Sequence, residues 1–371
     1  MIYILFMAFA IVYYFILGLR AYDAGVISND IEFGNYVKIR KIYCVTCGTL
    51  LFLIAALRSP EVGSDAIRYV GYYFPKAMLL DWRAILSQDD VGFYILCKLL
   101  SLFTSNGQWL LVFCGFIFAF AISHFIFKNS QDMMVSYIMI IPLQFFAFSL
   151  TGLRQIIAMS IMILNFENVK NKHLIRFMLF TFAASLFHTS AIVAVPIYFL
   201  YRINIGGLKR FCMFILIPII YIYKRKLLSF FQSWFYSDYS IYEQNRGSWA
   251  TFAFYFLIWV LYLLLYYKDY SNCRPENSSG YDLKINHINV EPIYIVGFIV
   301  QLFVFVNPNV FRVAFYYQIF AIIMVPQLLT SDFFKNTKYI PQAVFVALMF
   351  IMYACFTYTS SGANPYYFFW Q

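Results

Sequence analysis

The chain has 371 residues, 63% of them hydrophobic and 12% charged, with a net charge of +10 and a mean hydropathy of +0.71. A soluble domain is about 45–50% apolar and about 25% charged, so the composition excludes an ordinary soluble protein. It describes an all-α, polytopic transmembrane helical bundle, because the apolar residues come in long blocks and not in the short alternating segments of a β-barrel. The positive charge lies between those blocks, where it reports topology and not nucleic-acid binding.

Residues 2–19 read as the first span. The apolar run begins at Met1 without a basic leader, so it is expected to be a span and not a cleaved signal peptide. Arg20, Lys38, Arg40 and Lys41 follow it and place the N-terminus outside. Residues 42–57 go out to Arg58. Residues 58–106 then form an outer segment, in which Asp65–Phe74 and Asp90–Thr104 read as helices. The second of these carries Lys98 and is placed at the interface, with a true span left open. Residues 107–127 return to Lys128, and 133–150 go out with a kink at Pro142. Gly152 makes a turn, and Arg154 opens a helix running in to about Phe166.

Residues 174–201 carry basic residues before and after them: Lys170, Lys172 and Arg176, then Arg202, Lys209 and Arg210. Both ends therefore belong on one side, and the stretch enters and returns. Each arm is about 13 residues, roughly 20 Å of helix, where a crossing needs about 20 residues. These are two short half-helices with the polar turn Phe187-His188-Thr189-Ser190 inside the membrane thickness. Such a turn needs protein or water around it. Further on, 211–223 go out, 224–250 form a second outer loop, 251–267 come in and 268–290 form a cytoplasmic loop. Residues 292–306, 311–329 and 339–359 complete about 12 segments in a single domain, 1–371. No internal repeat supports an inverted-repeat transporter. Most of the 27 Lys and Arg fall on the assigned inner loops, but Lys224-Arg225-Lys226 stands against the pattern.

The seven cysteines are scattered and read as apolar filler. No zinc ligand set, Gly-rich nucleotide loop or glycosidase-spaced carboxylate pair is present, so no metal or cofactor is expected. Five arginines converge on the outer side: Arg58, Arg68, Arg154, Arg246 and Arg312. Guanidinium forks bind the oxygens of a diphosphate bidentately. The structural alternative is that each snorkels to the surface or pairs with an acid such as Asp65 or Glu243. Arg154 is the strongest candidate, because it sits at a helix turn with no acid near it in sequence. His188 can act as a general base near neutral pH, with Asp65 or Glu243 as the alternatives. The 224–250 loop, with Trp234, Tyr239, Tyr242 and Glu243, suits stacking on sugar rings; an interfacial amphipathic helix is the competing reading.

Several pieces occur in a fixed order: Leu57-Arg58, Gly63-Ser64-Asp65, Tyr69, Gly152-Leu153-Arg154-Gln155, Phe187-His188-Thr189-Ser190, Arg312, and a terminal Asn364-Pro365-Tyr366 with aromatics. Together they resemble the EpsG-type branch of the Wzy group of O-antigen and capsular polysaccharide polymerases. The resemblance implies an inner-membrane glycosyltransferase with its active site facing the periplasm. The donor would be a glycan on undecaprenyl diphosphate, and the acceptor another lipid-linked repeat unit. By position, Arg58, Arg154 and Arg312 would handle the diphosphate, and the outer loop would bind glycan. The lipid bilayer is the expected environment, and a chain-length regulator is left open as a further partner. An O-antigen ligase, a flippase and a membrane acyltransferase are the competing readings.

Overall fold

The computed structural model describes residues 1–19, 30–235, 249–272, 288–330, 340–357 and 362–371. Those residues are helical, and their one isolated β-bridge joins Arg58 to Phe368. The helices are α1 (Ile2–Ile16), α2 (Asp30–Ala56), α3 (Val91–Ser101), α4 (Gln108–Asn129), α5 (Met133–Ile140), α6 (Phe145–Thr151), α7 (Leu153–Lys170) and α8 (Leu174–Phe187). They continue as α9 (Pro196–Leu200), α10 (Gly207–Phe235), α11 (Trp249–Asn272), α12 (Glu291–Gln301), α13 (Phe311–Gln318), α14 (Ala321–Leu329) and α15 (Ile340–Met352). Between α2 and α3, Ala66–Arg68, a π turn Tyr69–Tyr73 and Phe74–Leu79 run on from one another.

The longest packing seam joins α2 to α4. It closes at small residues: a Cβ on Gly48 would lie 2.3 Å from Ser123 Oγ, and one on Gly115 would lie 2.8 Å from Ala55 Cβ. Close backbone approach is how helices associate where the solvent is itself apolar. At one end of α4, Arg40 donates to the carbonyls of Phe127 (3.2 Å) and Ser130 (2.8 Å), while Lys170 Nζ donates to the side-chain Oδ1 of Asn129 (2.8 Å). Nearby, Arg202 donates to Val169 at the end of α7 (2.9 Å). Cations there satisfy carbonyls that a helix C-terminus leaves unpaired and complement its dipole. At the other end of α4, Gln108 Nε2 donates to the carbonyls of Ala56 (2.8 Å) and Arg58 (2.9 Å).

The stretch 174–201 folds as two short arms. Helix α8 stops at Phe187, His188 is extended (φ −160°, ψ 122°), and a 3₁₀ turn Thr189–Ala194 leads into α9. Ile175, Leu179 and Phe182 share one face of α8 and are 62–78% exposed, as a lipid-facing stripe would be. The expected kink at Pro142 is a break between α5 and α6, bent by 47°.

Two helices are long and apolar enough to cross a membrane, Gly34–Ala56 and Gln108–Asn129, or up to four spans if the bent pairs each count as one. Other apolar helices run 10–17 residues. The expected count of about 12 segments is therefore not matched by full-length helices among the described residues. The loop expected at 224–250 also needs correction. Helix α10 continues unbroken through Lys224-Arg225-Lys226 to Phe235, and no Gly or Pro between 219 and 235 interrupts it. The rest of that loop, with Tyr239, Tyr242, Glu243 and Arg246, lies outside the described residues, as does the side chain of Trp234. Helix α11 takes residues 268–272 from the expected cytoplasmic loop, of which 273–287 lie outside the description.

The C-terminal tail is clasped to the segment that leaves α2. Ser59 N donates to Tyr367 O (2.8 Å), Phe369 N to Leu57 O (2.9 Å) and Gly63 N to Gly362 O (3.1 Å). Tyr366 Oη donates to Ile54 O (2.8 Å), and the Phe368 and Trp370 rings stack at 4.5 Å. Deleting residues 366–371 is expected to lower the thermal unfolding midpoint of the detergent-solubilised protein by several degrees and to open residues 57–63 to protease. Unchanged cleavage there would refute the clasp.

Candidate functional site

The site begins at the turn from α6 to α7. Gly152 packs so tightly that a Cβ there would lie 2.8 Å from the Phe148 ring. The turn places Arg154 in the first turn of α7. Its Nη1 lies 2.7 Å from Asp90 Oδ2, and its Nε donates to Tyr69 Oη (3.4 Å). The guanidinium sits 5.0 Å from the Tyr73 ring centre and 5.8 Å from that of Tyr69. Sequence proximity gave Arg154 no acid; the fold supplies one from 64 residues away.

Asp90 is the residue that sequence reasoning missed as a site member. It stands before α3 in a left-handed conformation (φ 52°, ψ 47°), and its side chain is 8% exposed. Gly92 presses α3 onto the end of α8: a Cβ there would lie 3.0 Å from Leu186 O. That contact sets Asp90 beside His188, whose Nδ1 lies 3.5 Å from the same Asp90 oxygen that holds Arg154. His188 Nδ1 is enclosed and has no hydrogen bond, while the side chain as a whole is 26% exposed. The signal available was the chain's one Asp-Asp pair, Asp89-Asp90, directly before an apolar helix. Substituting Gly92 with alanine is expected to part Asp90 from His188 and lower product formation by about 10-fold, with protein abundance kept. Full activity in that variant would show the contact to be idle.

Arg312 enters from the start of α13. Its carbonyl accepts from Gln155 Nε2 (2.7 Å), one residue along from Arg154, and its guanidinium lies 3.7 Å from Asp65. Both side chains of that pair are about 40% exposed, so water and salt weaken the attraction. Arg68 is exposed and lies 5.4 Å from the Tyr73 ring centre. Ser190 and Tyr316 hydroxyls meet at 3.2 Å behind His188. Burial raises the Tyr69 phenol above its ordinary pKa, with Arg154 pulling the other way. Tyr69 therefore stays neutral at pH 7 and can donate or accept a hydrogen bond.

The fold thus gathers Asp65, Tyr69, Arg154, His188 and Arg312, and adds Asp90. Arg58 is not among them. It is 1% exposed and donates to the carbonyls of Ala55 (3.3 Å) and Leu150 (2.9 Å). Burial pulls its guanidinium down to about 10, still charged at neutral pH. The tail bridges to the backbone at this residue, so Arg58 is enclosed as a structural tie.

Chemically, the cluster offers cations for an anionic group, an imidazole that can accept a proton, and a carboxylate bonded to Arg154 and 3.5 Å from that imidazole. No curated protein and no solved structure matches the chain. The EpsG family model matches residues 41–370, a range that takes in every residue of this cluster, and the chain belongs to the EpsG family.

Proposed function

We propose that this protein is a membrane glycosyltransferase that polymerises a surface polysaccharide. It transfers a growing glycan from undecaprenyl diphosphate to the non-reducing end of another lipid-linked repeat unit, at the periplasmic face of a bacterial inner membrane. The observation that carries this reading is the convergence of Arg154 and His188 on Asp90 in a chain of the EpsG family.

The acceptor hydroxyl oxygen attacks the anomeric carbon, and His188 accepts its proton. The bond from the anomeric carbon to the diphosphate oxygen breaks, and undecaprenyl diphosphate leaves with the electron pair. Arg154, with Arg312 and Arg68 at the rim, stabilises the charge that develops there. Guanidinium is suited to this because its planar fork stays charged and meets two oxygens at once. Asp65 and Tyr69 lie where an acceptor sugar could find hydrogen-bond partners.

The test is a gel of surface glycan from cells lacking this gene. Core carrying a single repeat unit with the long ladder gone is the expected result. Bare core with lipid-linked polymer accumulating would make the protein a ligase. Bare core with single units trapped inside would make it a flippase, and an unchanged ladder would overturn the reading.

A further inference from the structure

Asp90 holds two partners with one oxygen. Its Oδ2 is 2.7 Å from Arg154 Nη1 and 3.5 Å from His188 Nδ1. The first is a charge-assisted hydrogen bond; the second falls short, and His188 Nδ1 is left buried without an acceptor. A neutral imidazole serves as a base through Nε2 only if its proton sits on Nδ1, and a fixed acceptor at Nδ1 enforces that tautomer. In this geometry the Asp90 oxygen is engaged by Arg154, the arginine proposed to meet the substrate.

We propose that Asp90 couples donor binding to activation of His188: the donor's diphosphate draws Arg154 away from Asp90, and the released carboxylate accepts the Nδ1 proton of His188. This rests on the polymerase reading and adds an order to it. The base is armed only when a diphosphate occupies Arg154. Asp90 touches no reacting atom and is a positioning residue. The attack itself balances as above: the acceptor's proton passes to His188 Nε2, giving an imidazolium that the Asp90 carboxylate stabilises, and it leaves to solvent after the diphosphate departs. The coupling relies on distance. A shift of about 0.5 Å brings Nδ1 and Oδ2 to ordinary hydrogen-bond length. It also relies on enclosure, since the Asp90 side chain is only 8% exposed and water competes weakly for it.

Of the neighbouring charged and titratable groups, Asp90 meets His188 and Arg154, Arg154 donates to Tyr69, Arg312 faces Asp65, and Tyr316 meets Ser190. In the proposal Arg154 exchanges Asp90 for the diphosphate, and Asp90 exchanges Arg154 for His188.

The experiment uses the full chain in nanodiscs and lipid-linked repeat units extracted from a strain lacking this gene. Asp90→Asn is expected to lower kcat about 100-fold or more and to leave the donor KM within a few-fold. A raised donor KM with kcat unchanged would mean that Asp90 only anchors Arg154, and would overturn the coupling while leaving the polymerase reading intact. Wild-type kinetics in the variant would do the same. No chain growth by the wild-type protein would instead strike at the polymerase reading.

A second readout needs no turnover. With ¹⁵N-histidine label and assignment by His188→Gln, inorganic diphosphate should move the His188 nitrogens toward the Nδ1-protonated tautomer. The shift should be absent in Asp90→Asn. An equal shift in both proteins, or none in the wild type, overturns the proposal.

Discussion

Replacing Arg154 with alanine is expected to stop chain extension while the protein stays folded. The guanidinium is 25% exposed, at the opening of the cluster and not sealed in the core. It is paired with Asp90, the carboxylate that also faces His188. Removing one preorganised donor from a site where charge develops costs about 100- to 1,000-fold in rate, and here two donors of one fork would go together. Arg154→Lys should fail almost as badly. A lysine can still meet Asp90, but a point charge does not reproduce the fork or its stacking on Tyr73. The check is the glycan ladder in cells lacking the native copy, with membrane abundance of each variant measured alongside. A normal ladder from Arg154→Ala would remove Arg154 from the site. A missing ladder with the protein also missing calls for Arg154→Gln, whose amide can still donate to Asp90 but carries no charge. If that variant is abundant and still inactive, Arg154 keeps its role.

Arg58→Ala is expected to act in the opposite manner, on stability first. Arg58 is among the largest fully buried side chains, and its guanidinium supplies donors to the Ala55 and Leu150 carbonyls. Truncation leaves two buried acceptors unsatisfied, at about 1–3 kcal/mol each, and a cavity besides. Against a total stability of about 5–15 kcal/mol, a loss of about 3–5 kcal/mol should be visible as low abundance and a broad, early unfolding transition. Arg58→Lys should recover part of it, since an amine can reach one carbonyl. Thermal unfolding of purified protein separates the two arginines. If Arg58→Ala unfolds like the wild type and is inactive, the residue belongs to the chemistry, as its place in the family motif implies.

Much of the architecture was legible in the chain because membranes constrain sequence strongly. Apolar block length and flanking charge determined an all-helical chain with two short arms around Phe187-His188, and the arms appear where the basic residues on either side required them. The gain at Gly152-Leu153-Arg154 was also local: a tight turn beside a helix start carries its own signature. What local signals could not fix was pairing across distance. Arg154 and Asp90 are 64 residues apart, and their meeting depends on Gly92 letting α3 press against the Leu186 carbonyl. Nothing in either segment alone encodes that contact. Arg58 shows the same limit from the other side. A cation at the end of an apolar run reads as exposed, but the Leu150 carbonyl of α6 and the tail returning from residues 362–371 to pair with residues 57–63 meet it in the fold. The sequence by itself determined the class, the broken hairpin and the candidate cations. The tertiary structure decided which cations are presented and which are buried, because burial and charge pairing belong to contacts between segments and not to any segment.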